Sequence, residues 1–170
     1  FGHHFDFIAI PIIKKRLRMD TSQVIINEER PQLTKHLATR FKEKIGQNVN
    51  LLGEVVLGNE EADHRYHHYL EALESPDINY ISVKISGIYA QTHALNYEES
   101  FPELVSRMSA LYQKAIDFPY TDEDGIKRSK FINLDMEEYK DAHFTLRLFK
   151  AVLNLPQFKN YSAGIVVQAY

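Results

Sequence analysis

Four short apolar runs each carry one polar residue near their C-terminal ends: Glu54 in LLGEVV, Lys84 in SVKIS, Asp135 in INLDMEE and Gln168 in IVVQAY. A charge inside such a run is costly unless it is paired or has a task. A lysine on a strand can act as a covalent amine, forming a Schiff base with a carbonyl substrate. Lys84 and Asp135 can equally form a buried ion pair with no substrate, and Glu54 can serve as a structural partner to a neighbouring loop. His64 and His68 stand one helical turn apart in DHRYHHY. That spacing suits a metal, but a surface helix of mixed polarity explains it more simply. The chain contains no cysteine, so it offers no thiolate nucleophile, disulfide, Cys-held zinc or iron–sulfur cluster.

These residues make a site only if the fold brings their strand ends together. NVNLLGEVVLG (48–58), YISVKIS (80–86), FINLDMEEY (131–139) and GIVVQAY (164–170) read as strands. Helices fall between them. Asn59 can cap the first, with Glu60 and Glu61 in its favourable first turn. Leu104, Met108, Leu111 and Ile116 form the apolar stripe of the second, and Asp141 can cap the third. TDEDGIKRSK (121–130) reads as a polar loop with a glycine turn. Tyr66, Tyr69, Tyr112, Phe144 and Phe149 fall at helical spacings and read as packing.

Strands that are continuously apolar, alternating with helices, predict a parallel sheet covered by helices. No Gly-rich phosphate turn follows any strand, which argues against a doubly wound nucleotide fold. The expectation is an α/β (β/α)8 TIM-type barrel of which only the first half is present, about four βα units, because a full barrel needs about 250 residues. In such a barrel the active site lies at the C-terminal strand ends, where the four polar residues stand. Residues 1–47 are expected to form an N-terminal arm with one helix, running from Pro31 through Leu33, Leu37, Phe41 and Ile45 to Gly46. Residues 1–30 yield no single element. Residues 48–170 are the half barrel, and a last strand without cap or tail reads as a truncation.

Composition narrows the classes further. With 20 basic and 23 acidic residues in 170, the net charge is -3 and no basic face for nucleic acid emerges. No apolar run reaches the roughly 18 residues of a membrane span. The basic residues Lys14, Lys15, Arg16 and Arg18 follow the first apolar stretch, the wrong order for a secretory signal. A soluble cytoplasmic protein is the expectation.

NLLGEVVLG, YISVKISGIYAQ, FINLDMEEYKD and SAGIVVQAY, in this order and spacing, resemble the proline dehydrogenase domain over roughly residues 20–170. The form is that of bacterial bifunctional proteins in which this domain is joined to an aldehyde dehydrogenase. The resemblance implies a distorted barrel holding FAD non-covalently and oxidising L-proline to pyrroline-carboxylate. It implies that Lys84 binds the proline carboxylate and that Asp135 sits beside substrate and flavin, organising the basic residues that clamp the carboxylate. It also implies that Met136 lines the flavin and that Gln168 hydrogen-bonds the isoalloxazine ring. A membrane quinone as electron acceptor, and with it a peripheral position at the inner membrane, follow from the same resemblance. Asn50 stands where some relatives carry Asp, so no charged role is expected there. The family's remaining flavin contacts and an arginine pair come from later strands, so this piece alone is expected to be inactive. An aldolase-like Schiff-base enzyme using Lys84, or a non-catalytic barrel scaffold, are the alternatives.

Overall fold

A computed structural model describes residues 6–21, 30–51, 58–90 and 96–169. The chain divides into two compact units, residues 1–45 and 46–170. The first contains two helices, α1 (Asp6–Thr21) and α2 (Arg30–Lys42). Helix α1 is an element that the sequence left unassigned. Its apolar residues fall on two opposite faces, Ile10, Ile13 and Leu17 on one and Ile12 and Met19 on the other, and all five are exposed. Helix α2 lies where Pro31 and the spacing of Leu33 and Leu37 place it, and Leu37 is buried.

The second unit is built on strands β1 (Val49–Asn50), β2 (Tyr80–Lys84), β5 (Phe131–Asp135) and β6 (Gly164–Ile165). Between them run α3 (Asn59–Glu74), α4 (Tyr97–Asp117) and α5 (Ala142–Leu153). A two-stranded hairpin, β3 (Tyr120–Thr121) with β4 (Lys127–Arg128), connects α4 to β5. All neighbours in the four-stranded sheet are parallel, and their order β1-β2-β5-β6 follows the chain. Successive right-handed crossovers without reversal put every helix on the same face. That face holds the core. Ile81, Val83, Ile132 and Leu134 are essentially inaccessible, as are Leu104, Met108, Leu111, Leu148 and Val152 of the helices.

Several local expectations change. Gly58, in extended conformation, occupies the N-cap of α3, so Asn59 is already helical and caps nothing. Asp141 is the N-cap residue of α5 but makes no cap bond; its carboxylate accepts the Tyr97 hydroxyl instead. The polar loop 121–130 is a hairpin whose turn is held by the Asp122 carboxylate, which accepts the amides of Asp124 and Ile126, with Gly125 at φ 78°. Its strands are too short for alternation to reveal. The strands at 80 and 131 stop at Lys84 and Asp135, earlier than their apolar runs suggest.

The N-terminal end of the sheet is locked by a buried lysine. Lys130, 1% exposed, donates from Nζ to the carbonyl of Ser75 at the C-terminus of α3. Its own amide donates to Ala115 of α4 (3.0 Å), and its carbonyl accepts the Tyr161 hydroxyl (3.0 Å). One residue thus ties α3, α4 and the approach to β6 to the start of β5. The Tyr112 and Tyr161 rings lie tilted against each other, with centres 4.9 Å apart.

Candidate active site

Lys84 and Asp135 are register partners, side by side at the C-terminal ends of the two central strands. Together with Asn50, Met136, Glu137 and Val166 they line an open depression of about 520 Å³. Their position follows from the period-2 pleat. Ile81 and Val83 turn toward the helices, so Ser82 and Lys84 turn away, and Asn133 and Asp135 do the same on β5. The face away from the helices therefore forms layers. Tyr80 and Phe131 meet edge to face at 5.0 Å, Ser82 and Asn133 follow, and Lys84 and Asp135 come last.

The two charges do not neutralise each other. Among the described residues no carboxylate lies within ion-pair distance of the half-buried Lys84, so the mutual ion pair allowed by the sequence does not form. Asp135 is held by neutral donors instead. Ser82 donates to its Oδ1 at 3.2 Å and Asn133 Nδ2 to the same oxygen at 2.7 Å. Asn48 Nδ2 donates in turn to Ser82 Oγ at 2.9 Å. Ser82, Asn133 and Asn48 were not anticipated from the sequence. The available signal was that a polar residue stands two positions before each charge, on the same side of its strand.

The turns beyond the strands are fastened independently. After Lys84 the chain makes a 3-10 turn, Ile85–Gly87. Gly87 lies against Tyr69 of α3; a β-carbon there would stand 3.0 Å from the Tyr69 hydroxyl. Tyr69 is itself buried, which pushes its hydroxyl pKa above the usual range, and it interacts with the backbone of Lys84. Glu137, following β5, accepts both the amide (3.1 Å) and the hydroxyl (2.7 Å) of Ser86. Arg107 of α4 donates to the Ile88 carbonyl (2.9 Å) while bridging Asp63 (2.6 Å) and Glu103 (2.7 Å).

Gly164 of β6 is in register with Asn133. A β-carbon there would stand 2.5 Å from Asn133 Oδ1 and 3.0 Å from the Phe131 ring. Only glycine leaves room for the amide that holds Asp135. Gly164→Ala is therefore expected to displace Asn133 and lower the thermal midpoint by several degrees, an effect of about 1–3 kcal/mol. An unchanged midpoint in differential scanning calorimetry would contradict this.

Lys84, Asp135 and Met136 line one depression. Gln168 does not line the same depression. It lies two residues past Val166, half-buried, with its Oε1 inaccessible and unpartnered among the described residues. Glu54 lies outside the described residues. The His64 and His68 rings are 4.4 Å apart, and no group of three or more metal-ligating side chains forms among the described residues. Among those residues, no helix is long and apolar enough to cross a membrane.

Solved structures resemble this arrangement over most of the chain. Proline Utilization A of Corynebacterium freiburgense matches with a TM-score of 0.79 and 35% identity, covering 100% of this chain and 18% of that one. Proline Utilization A of Bdellovibrio bacteriovorus, inactivated by N-propargylglycine, gives 0.79 and 27% identity over 96% of this chain and 18% of its own. A variant of the Bradyrhizobium japonicum protein gives 0.60 and 25% identity over 72% and 13%. The chain thus spans less than a fifth of these proteins. No curated protein matches it by sequence. The family model described as proline dehydrogenase matches residues 33–170, and the chain belongs to that family.

Proposed function

We propose that this chain is part of a flavin-dependent proline dehydrogenase, contributing about half of a (β/α)8 barrel and the first part of its substrate site. The observation that carries the reading is the Lys84 ammonium, without an ion-pair partner among the described residues and level with the hydrogen-bonded Asp135 carboxylate at the C-terminal ends of adjacent parallel strands. An unneutralised cation in a partly buried cleft is a receptor for an anion. The carboxylate of L-proline is the anion that the family membership supplies.

The residues fit FAD. Gln168 Oε1 is a buried acceptor without a donor among the described residues, and the imide and ribityl groups of a flavin offer such donors. Met136 supplies apolar, polarisable surface beside Asp135. When bound, FAD provides the acceptor for the hydride that leaves the carbon next to the proline nitrogen. Lys84 fixes the carboxylate end of the substrate, and Asp135 orients the cationic groups around it. No side-chain nucleophile is required, so the protein's work is orientation and exclusion of water.

The bifunctional assignment, with an aldehyde dehydrogenase on the same polypeptide, is supported by the length of the structural relatives beyond the matched part. A membrane quinone as electron acceptor, with a cytoplasmic protein docking peripherally at the inner membrane, rests on the family resemblance alone. Strands β1 and β6 are the edges of the described sheet. Without further strands those edges stay unpaired, so the isolated piece is expected neither to retain FAD nor to turn over proline.

The test is a visible spectrum of the protein extended to its natural C-terminus, before and after L-proline. A flavin band that bleaches with proline is the expected result. A colourless protein, or a band indifferent to proline, removes the reading. Borohydride trapping of a carbonyl substrate on Lys84 would instead favour a Schiff-base enzyme.

A further inference from the structure

We propose that Ser82 and Asn133 are positioning residues that act on the reaction through Asp135, by clamping one of its oxygens and leaving the other for the site. The inference rests on the proline dehydrogenase reading given above.

Two donors from adjacent strands converge on Asp135 Oδ1, the Ser82 hydroxyl at 3.2 Å and the Asn133 amide at 2.7 Å. Neither donor can readily turn elsewhere. Ser82 is 2% exposed and Asn133 9%. A serine hydroxyl has one proton and two lone pairs. Asn48 Nδ2 donates to Ser82 Oγ at 2.9 Å, which occupies a lone pair and leaves the proton for Asp135. The donor order therefore runs one way, from Asn48 to Ser82 to Asp135. On the other strand, the Asn133 Oδ1 is turned toward the notch left by Gly164, so its Nδ2 is the group that reaches Asp135.

Clamping from two directions fixes the plane of the carboxylate. Oδ2 has no donor among the described residues and belongs to a side chain lining the cleft beside Lys84. Packing alone gives no reason for this arrangement. Ser82 and Asn133 are register partners in the layer beneath the charges, where aliphatic side chains would bury more apolar surface. The polar layer is explained by what it holds.

The test uses the full-length protein and a double-mutant cycle in stopped-flow flavin reduction by L-proline. Ser82→Ala and Asn133→Ala are each expected to slow reduction about ten- to a hundredfold, the loss of a hydrogen bond to a charged group. Added to Asp135→Ala, either substitution should cost less than about twofold, because no carboxylate remains to be positioned. Full additivity in that background, or no loss in either single variant, overturns the proposal. Because each substitution reaches Asp135 from a different strand, misfolding of one variant leaves the other to decide. A crystal structure of Ser82→Ala/Asn133→Ala supplies a readout independent of the substrate. A rotated or split Asp135 carboxylate is expected, and an unmoved one overturns the clamp. If the wild-type flavin ignores proline while the carboxylate moves, the proline reading fails and the clamp stands.

Discussion

Lys84→Met should lower kcat/KM for L-proline by roughly two to three orders of magnitude, mainly through KM. The substitution keeps the length of the stem and removes the charge. Losing one partner of a desolvated charge pair costs about 2–5 kcal/mol, and each 1.4 kcal/mol is tenfold. Among the described residues no second cation lines the depression with Lys84, so nothing in this part of the site compensates. The fold should not suffer. Lys84 has no ion-pair partner to abandon among those residues, and removing an unpaired, half-buried ammonium leaves the thermal midpoint unchanged or slightly higher. Lys84→Arg is not a rescue, because a planar fork of donors replaces a compact point charge. Steady-state kinetics on the full-length protein decides. A loss below about threefold would remove Lys84 as the carboxylate receptor.

The second large effect concerns stability and comes from the opposite end of the sheet. Burial holds the Lys130 ammonium down to about 8 from its ordinary 10.5, with Asp77 opposing only in part. The folded state therefore favours neutral Lys130, and the unfolded chain binds the proton more tightly. Between pH 8 and 10.5 the unfolded state carries more protons, so stability contributed by this residue rises with pH across that window. Below pH 8 the penalty is fully present. It amounts to about 3 kcal/mol over the whole window. Neutral lysine still donates to the Ser75 carbonyl, so the link between α3 and β5 survives deprotonation. Lys130→Met removes both the titration and the bond. The midpoint difference, wild type minus Lys130→Met, should grow in favour of wild type from pH 7.5 to pH 10. A difference that stays flat with pH would mean that this lysine is not buried as a charge.

The four sheet strands and three long helices of residues 46–170 were legible because their apolar runs are continuous and their helical stripes regular, whereas the short hairpin at 120–128 was not. Leu104, Met108 and Leu111 illustrate it, all buried at helical spacing. Lys84 and Asp135 were legible for the opposite reason, as charges in runs that should have none. Ser82 and Asn133 escaped because small neutral polar residues carry no such signature. Their meaning depends on register, and the sequence does not state that Ser82 lies beside Asn133. Helix α1 escaped because Ile12 and Met19 lie opposite Ile10, Ile13 and Leu17, which blunts the helical period. The Asn59 cap failed on a shift of one residue: Gly58 adopts the extended conformation that a cap requires and leaves Asn59 inside the helix. Tyr69 was read as packing, which it is, yet the same ring underlies the turn that follows Lys84.

Among the described residues, the central strands β2 and β5 pair over five rungs, whereas β1–β2 and β5–β6 pair over two each. Local opening begins where few hydrogen bonds must break together. The flanking strands can therefore fray and re-form many times while the central ladder stays closed. Lys84 and Asp135 sit on the last rung of that ladder, so the spacing between them outlives the breathing of the sheet around it. Where other sites depend on a mobile loop to set the distance between two charges, here it is written into the most persistent part of the backbone.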